Sequence, residues 1–62
     1  MYDIIARSNN NTLQENISLE DLKQFFVDNT NLSQEYVNNL IDNKLERFDT
    51  QFIFNKYKVI IK

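Results

Sequence analysis

The side chains able to do acid–base chemistry in this 62-residue chain are nine carboxylates, with no histidine and no cysteine beside them. A Ser–His or Cys–His nucleophile therefore cannot be assembled. Thiolate and imidazole metal sites are excluded for the same reason. Phosphate-cradling loops need glycine, and the chain has none. Paired carboxylates could act as general acid and base. The closest pairs, Glu20 with Asp21 and Asp42 with Glu46, sit where helices place solvated charges. So short a fold also has little room for a pocket that would perturb them. No loop of closely spaced Asp residues suits a hard cation. The expectation is a protein that is not an enzyme and uses no cofactor or metal.

Binding chemistry is better represented, because the charge is lopsided. Residues 1–42 carry two cations against seven acids, whereas residues 43–62 carry five cations against two acids. Such an asymmetry points to a macromolecular partner. There is no basic, apolar leader and no long apolar run, so a cytoplasmic location without a membrane segment is expected. Ten residues are Asn, while Gly and Pro are absent and Ala occurs once. This bias suits an A/T-rich genome, such as that of a phage or other mobile element. Asn also replaces Gly as the residue able to take left-handed backbone positions.

The elements that must position these charges fit one domain, residues 1–62. Tyr2–Ala6 reads as a short strand and Arg7–Asn11 as a polar loop. Thr12–Ile17 is ambiguous, with Leu13 and Ile17 as its only anchors. Ser18 caps a first helix, with Asp21 three residues on and Ile17 and Leu22 as a hydrophobic staple. Leu19, Leu22, Phe25 and Phe26 line its inner face, and Thr30 and Asn31 end it. Ser33 caps a second helix with Leu32 and Val37 as staple. Its stripe of Val37, Leu40, Ile41, Leu45 and Phe48 allows a stop at Asn43 or at Arg47, with the earlier stop preferred. The tail reads as a hairpin turning at Asn55-Lys56, which pairs Phe54 with Tyr57, Phe52 with Val59 and Thr50 with Ile61. A type I′ turn wants positive φ at both central residues, which suits Asn55 but not Lys56, so a longer loop stays open and Lys56→Gly should stabilise the two-residue turn. The predicted fold is α+β: two helices packed on a small antiparallel sheet of the N-terminal strand and the C-terminal hairpin. Its expected core is Leu22, Phe26, Val37, Leu40, Phe52 and Val59.

The run Leu32-Ser33-Gln34-Glu35-Tyr36-Val37 resembles the opening of the recognition helix in phage-repressor-like helix-turn-helix regulators. With Leu40 to Leu45 and the hairpin added, the chain also resembles small winged-helix excisionases of mobile elements. The likeness covers about two-thirds of the chain. It implies a winged-helix-like arrangement with a left-handed turn residue at Asn31, although Val27 stands where these families prefer Ala. It further implies DNA binding. Gln34, Glu35, Asn38 and Asn39 would then form the exposed face, with Gln34, Asn38 and Asn39 near base edges. Lys44, Arg47, Lys56 and Lys58 would contact phosphates.

Glu35 and Asp42 on that helix, with no cation before Lys44, oppose phosphate binding. A second class of function follows from the same charges, an acidic inhibitor of a host protein. In it Asp3, Glu15, Glu20, Asp21 and Asp28 present phosphate-like charge to a basic groove, with Glu20, Asp21 and Asp28 as its centre. Self-association into a homodimer through the hairpin edge or the helix pair is a third possibility.

Overall fold

The computed structural model describes all 62 residues. Its elements are β1 (Tyr2–Ala6), β2 (Thr12–Ile17), α1 (Leu19–Asn29), α2 (Gln34–Arg47), β3 (Gln51–Phe54) and β4 (Tyr57–Ile61). The strands form one antiparallel sheet in the order β2-β1-β4-β3, with both helices packed on one face. This is an α+β fold. The two terminal strands pair at its centre, and β2 and β3 are its edges.

Alternation assigns the faces. Tyr2 pairs with Ile61, Ile4 with Val59 and Ala6 with Tyr57, while Phe52 and Phe54 pair with Val59 and Tyr57 from the other side. Paired residues share a face, so this set meets the helices. Ile4, Phe52, Phe54, Tyr57 and Val59 are buried there with Leu22 and Phe26 of α1 and Val37 and Ile41 of α2. The interior contains no polar or charged side chain. Phe26 sits at its centre, edge-to-face with Phe54 at 4.6 Å, Phe25 at 5.5 Å and Tyr57 at 5.6 Å between ring centroids. Five of the six expected core residues are buried, whereas Leu40 is half-buried and Ile41 takes the central place on α2.

The sheet has four strands rather than the expected three, because Thr12–Ile17 pairs with β1. The strand lacks an alternating pattern for a physical reason. Its register shifts twice against β1, so it carries extra residues, and all but Ile17 are exposed. Asn16 takes φ 56° at one shift, and its N–H donates to the Asp3 carboxylate at 2.7 Å. Lys62 closes on the same carboxylate at 3.5 Å. Asp3 therefore serves the bulge, which accounts for a carboxylate on a central strand.

Both helix starts form as expected: Ser18 Oγ accepts the Asp21 N–H at 3.1 Å and Ser33 Oγ the Tyr36 N–H at 3.2 Å. The end of α2 differs from expectation. The helix runs on to Arg47, closed by the Phe48 N–H on the Lys44 carbonyl at 2.9 Å. Leu45 packs against the core in the added turn, and the cations Lys44 and Arg47 suit the negative end of the helix dipole.

The link between the helices needs no left-handed residue. Positive φ occurs at Asn10, Asn16 and Asn55, so Asn31 does not take the conformation expected of it. Thr30 does the work instead, at φ −138°. Its hydroxyl donates to the Phe26 carbonyl and accepts the Leu32 N–H, satisfying the helix end from a side chain.

At the hairpin, Asn55 has φ 58° but Lys56 does not take positive φ. The turn has two residues, as expected, yet it is not type I′. The expected benefit of Lys56→Gly is thereby reversed. Glycine at a position that does not need it only loosens the unfolded chain, and the cost is about 0.4–1 kcal/mol. Thermal unfolding should show a lower midpoint for Lys56→Gly. A raised midpoint would show that Lys56 is strained.

Candidate functional site

Leu22 and Phe26 fix the inner face of α1. At about 100° per residue, Asp21, Gln24 and Asp28 fall on one stripe turned away from it. Gln24 Nε2 donates to Asp28 Oδ1 at 2.8 Å, tying two members of the stripe together. The stripe forms one wall of an open cleft of about 460 Å³ between α1 and β2, lined by Gln14, Ile17, Asp21, Gln24, Phe25, Asp28 and Asn29. Two carboxylates and three amides thus surround a floor of Ile17 and Phe25. Neither carboxylate is salt-bridged. Glu20 is exposed at the start of the same helix, one side step from the stripe and outside the cleft. The fold therefore brings Asp21 and Asp28 together and leaves Glu20 beside them. Such a surface can accept hydrogen bonds and attract lysine or arginine side chains. No group of three or more carboxylates converges as metal ligands would.

The second helix distributes its residues differently from the expectation. Val37 and Ile41 are buried, with Leu45 following on the same side. Gln34 lies on that side too, exposed at the first position of the helix, and Asn38 next to it is half-buried. Asn39 does face solvent. The same spacing puts Glu35, Asp42 and Glu46 on its stripe, all exposed. Asp42 reaches across to α1, where Lys23 Nζ meets Oδ1 at 2.8 Å. A shallow depression of about 260 Å³ lies on the far side of Asn39, lined with Tyr36, Leu40 and Asn43.

Five of the seven cations gather in two places. Lys44 and Arg47 lie over the Phe48 ring at 5.7 and 5.9 Å, in the last turn of α2 just before β3 begins. Lys56 is in the turn at the other end of β3, and Lys58 is on β4. β3 separates the two groups by its length, roughly 13 Å at the usual strand rise. Arg7 joins the second group, which sequence reasoning missed. Its guanidinium donates to the Asn55 carbonyl at 2.9 Å and its N–H to the Lys56 carbonyl at 3.0 Å. Only the pairing of β1 with β4 reveals this, since Arg7 and Lys56 are far apart in the chain.

No known protein family, curated protein or solved structure matches the chain. No helix of the fold is long and apolar enough to cross a membrane.

Proposed function

We propose that this chain is a non-enzymatic binding protein whose acidic helix layer docks on a basic surface of another protein. The observation that carries the reading is the charge of that layer. Its helices hold six acids, Glu20, Asp21, Asp28, Glu35, Asp42 and Glu46, all of them exposed. The cations on the same helices are three, of which Lys23 is bound to Asp42 and the other two close α2. A positive surface on the partner would be steered to this layer from a distance and held in register by it. Nucleic-acid-binding proteins offer such a surface, and covering it would inhibit them.

A second reading, DNA binding, draws on Lys44 and Arg47 at the end of α2 and on the partial neutralisation of Asp42 by Lys23. It asks Glu35, Asp42 and Glu46 to face phosphates along with Asn39, which charge opposes. One experiment separates the two readings. Labelled mixed-sequence duplex DNA is titrated with the wild type at about 50 mM salt, where phosphate contacts are strongest. In parallel the wild type and a Glu20→Lys/Asp21→Lys/Asp28→Lys variant serve as baits in lysate of the source cell. The acidic-surface reading expects no saturable DNA binding and a captured protein that the variant loses. Saturable DNA binding that falls steeply with salt and disappears in Lys44→Ala/Arg47→Ala would overturn it.

A further inference from the structure

The two edges of the sheet are not equivalent. β2 is protected by its two register shifts, by the left-handed Asn16 and by the charge of Glu15. Irregularity and charge of this kind keep an edge from pairing. β3 has neither. Gln51-Phe52-Ile53-Phe54 pairs regularly with β4 and carries no charge and no proline.

The ladder shows which of its backbone groups are free. The Ile61 N–H donates to the Thr50 carbonyl at 2.9 Å, so Thr50 and Ile61 form a hydrogen-bonded pair. Bonded and non-bonded pairs alternate along an antiparallel ladder. Phe52 and Phe54 therefore also bond inward to β4, while Gln51 and Ile53 turn their N–H and C=O groups outward. No strand lies on that side. Ile53 is 48% exposed and Phe48 just before the strand is 40% exposed, so the free groups are bordered by apolar surface.

We propose that this edge pairs with β3 of a second copy of the chain, antiparallel and about a two-fold axis at Phe52. Residues facing each other across an antiparallel ladder share a face, so their numbers must have equal parity; outward groups must also meet outward groups. Both conditions hold when Gln51 of each copy bonds Ile53 of the other. Charge favours the same arrangement. Asp49 precedes the strand and Lys56 follows it, both exposed. Antiparallel pairing brings Asp49 of each copy to the end where Lys56 of the other lies, whereas parallel pairing would set acid on acid and lysine on lysine. The two-fold closes the assembly at a dimer, with one continuous eight-stranded sheet and both helix layers on the same side.

The test is sedimentation equilibrium of the intact chain over a wide concentration range. The wild type should rise from its 7.5 kDa monomer mass toward twice that value. Ile53→Pro removes an outward N–H without breaking a bond to β4, so it should stay monomeric and folded. Should Ile53→Pro fail to fold, the charges still decide: Asp49→Lys should weaken the dimer and Asp49→Lys/Lys56→Asp should restore it. A wild type that stays monomeric throughout would overturn the proposal. So would a dimer that persists in a folded Ile53→Pro variant, or one indifferent to the charge exchange.

Discussion

Phe26→Ala is expected to remove a large part of the domain's stability. The side chain is fully buried and touches the rings of Phe25, Phe54 and Tyr57, so it joins α1 to both strands of the C-terminal hairpin. Removing a buried Phe costs about 3–5 kcal/mol, part transfer and part cavity. A domain of this size holds roughly 3–9 kcal/mol in total at the usual stability per residue. The loss is therefore at least about a third of the total, and all of it at the lower end of that range. Leu22, Val37 and Ile41 are fully buried in the same cluster, so the surroundings relax only partly into the space. Phe25→Ala is the natural comparison, since Phe25 is only half-buried and should cost less. Circular dichroism with thermal and urea unfolding measures both. A Phe26→Ala domain with a wild-type transition would contradict the assignment of the core.

Reversing Glu20, Asp21 and Asp28 to Lys together is expected to abolish partner binding while leaving the fold intact. Each reversed charge that meets a cation of the partner turns attraction into repulsion. Close charge pairs at interfaces are worth about 1.5 kcal/mol or more, so each reversal should weaken binding at least about tenfold. The fold should tolerate the change because all three side chains are exposed and unbridged. The Ser18 cap bonds the backbone of Asp21 and survives substitution of its side chain. Lysines at positions 20 and 21 oppose the helix dipole by about 0.3–1 kcal/mol each, while lysine at 28 is favoured by it. Thermal unfolding checks the first point and a binding titration the second. A folded variant that binds as well as the wild type would remove these three residues from the interface.

Much of the fold was legible because its signals are local. Ser18 and Ser33 announce two helix starts by their chemistry, and the alternation of Phe52, Phe54, Tyr57, Val59 and Ile61 dictates the hairpin register. What escaped depends on contacts distant in sequence. β2 carries no period because bulges break it, and its strand character comes from pairing with β1 and from Asp3 receiving the Asn16 N–H. The last turn of α2 rests on Leu45 reaching the core. The link between the helices is a local exception, because the Thr30 hydroxyl bonds Phe26 and Leu32 within its own turn and makes a left-handed Asn31 unnecessary.

The candidate site divides along the same line. Helical spacing alone places Asp21 and Asp28 on one stripe and Glu35, Asp42 and Glu46 on another. The cleft between α1 and β2 was invisible without β2, and the gathering of Arg7 with Lys56 was invisible without the pairing of β1 with β4. Helical spacing also shows why the polar residues proposed to read bases separate: Gln34 and Asn38 lean toward the buried side of α2, and Asn39 stands among acids.

Residue-resolved NMR of the labelled chain with its captured partner tests most directly whether the acidic helix layer is the binding surface. Amide shifts should concentrate at Glu20, Asp21, Gln24 and Asp28, extend to Glu35, Asp42 and Glu46, and shrink as salt is raised. Shifts confined to Lys44, Arg47, Lys56 and Lys58, with the α1 stripe unmoved, would contradict it.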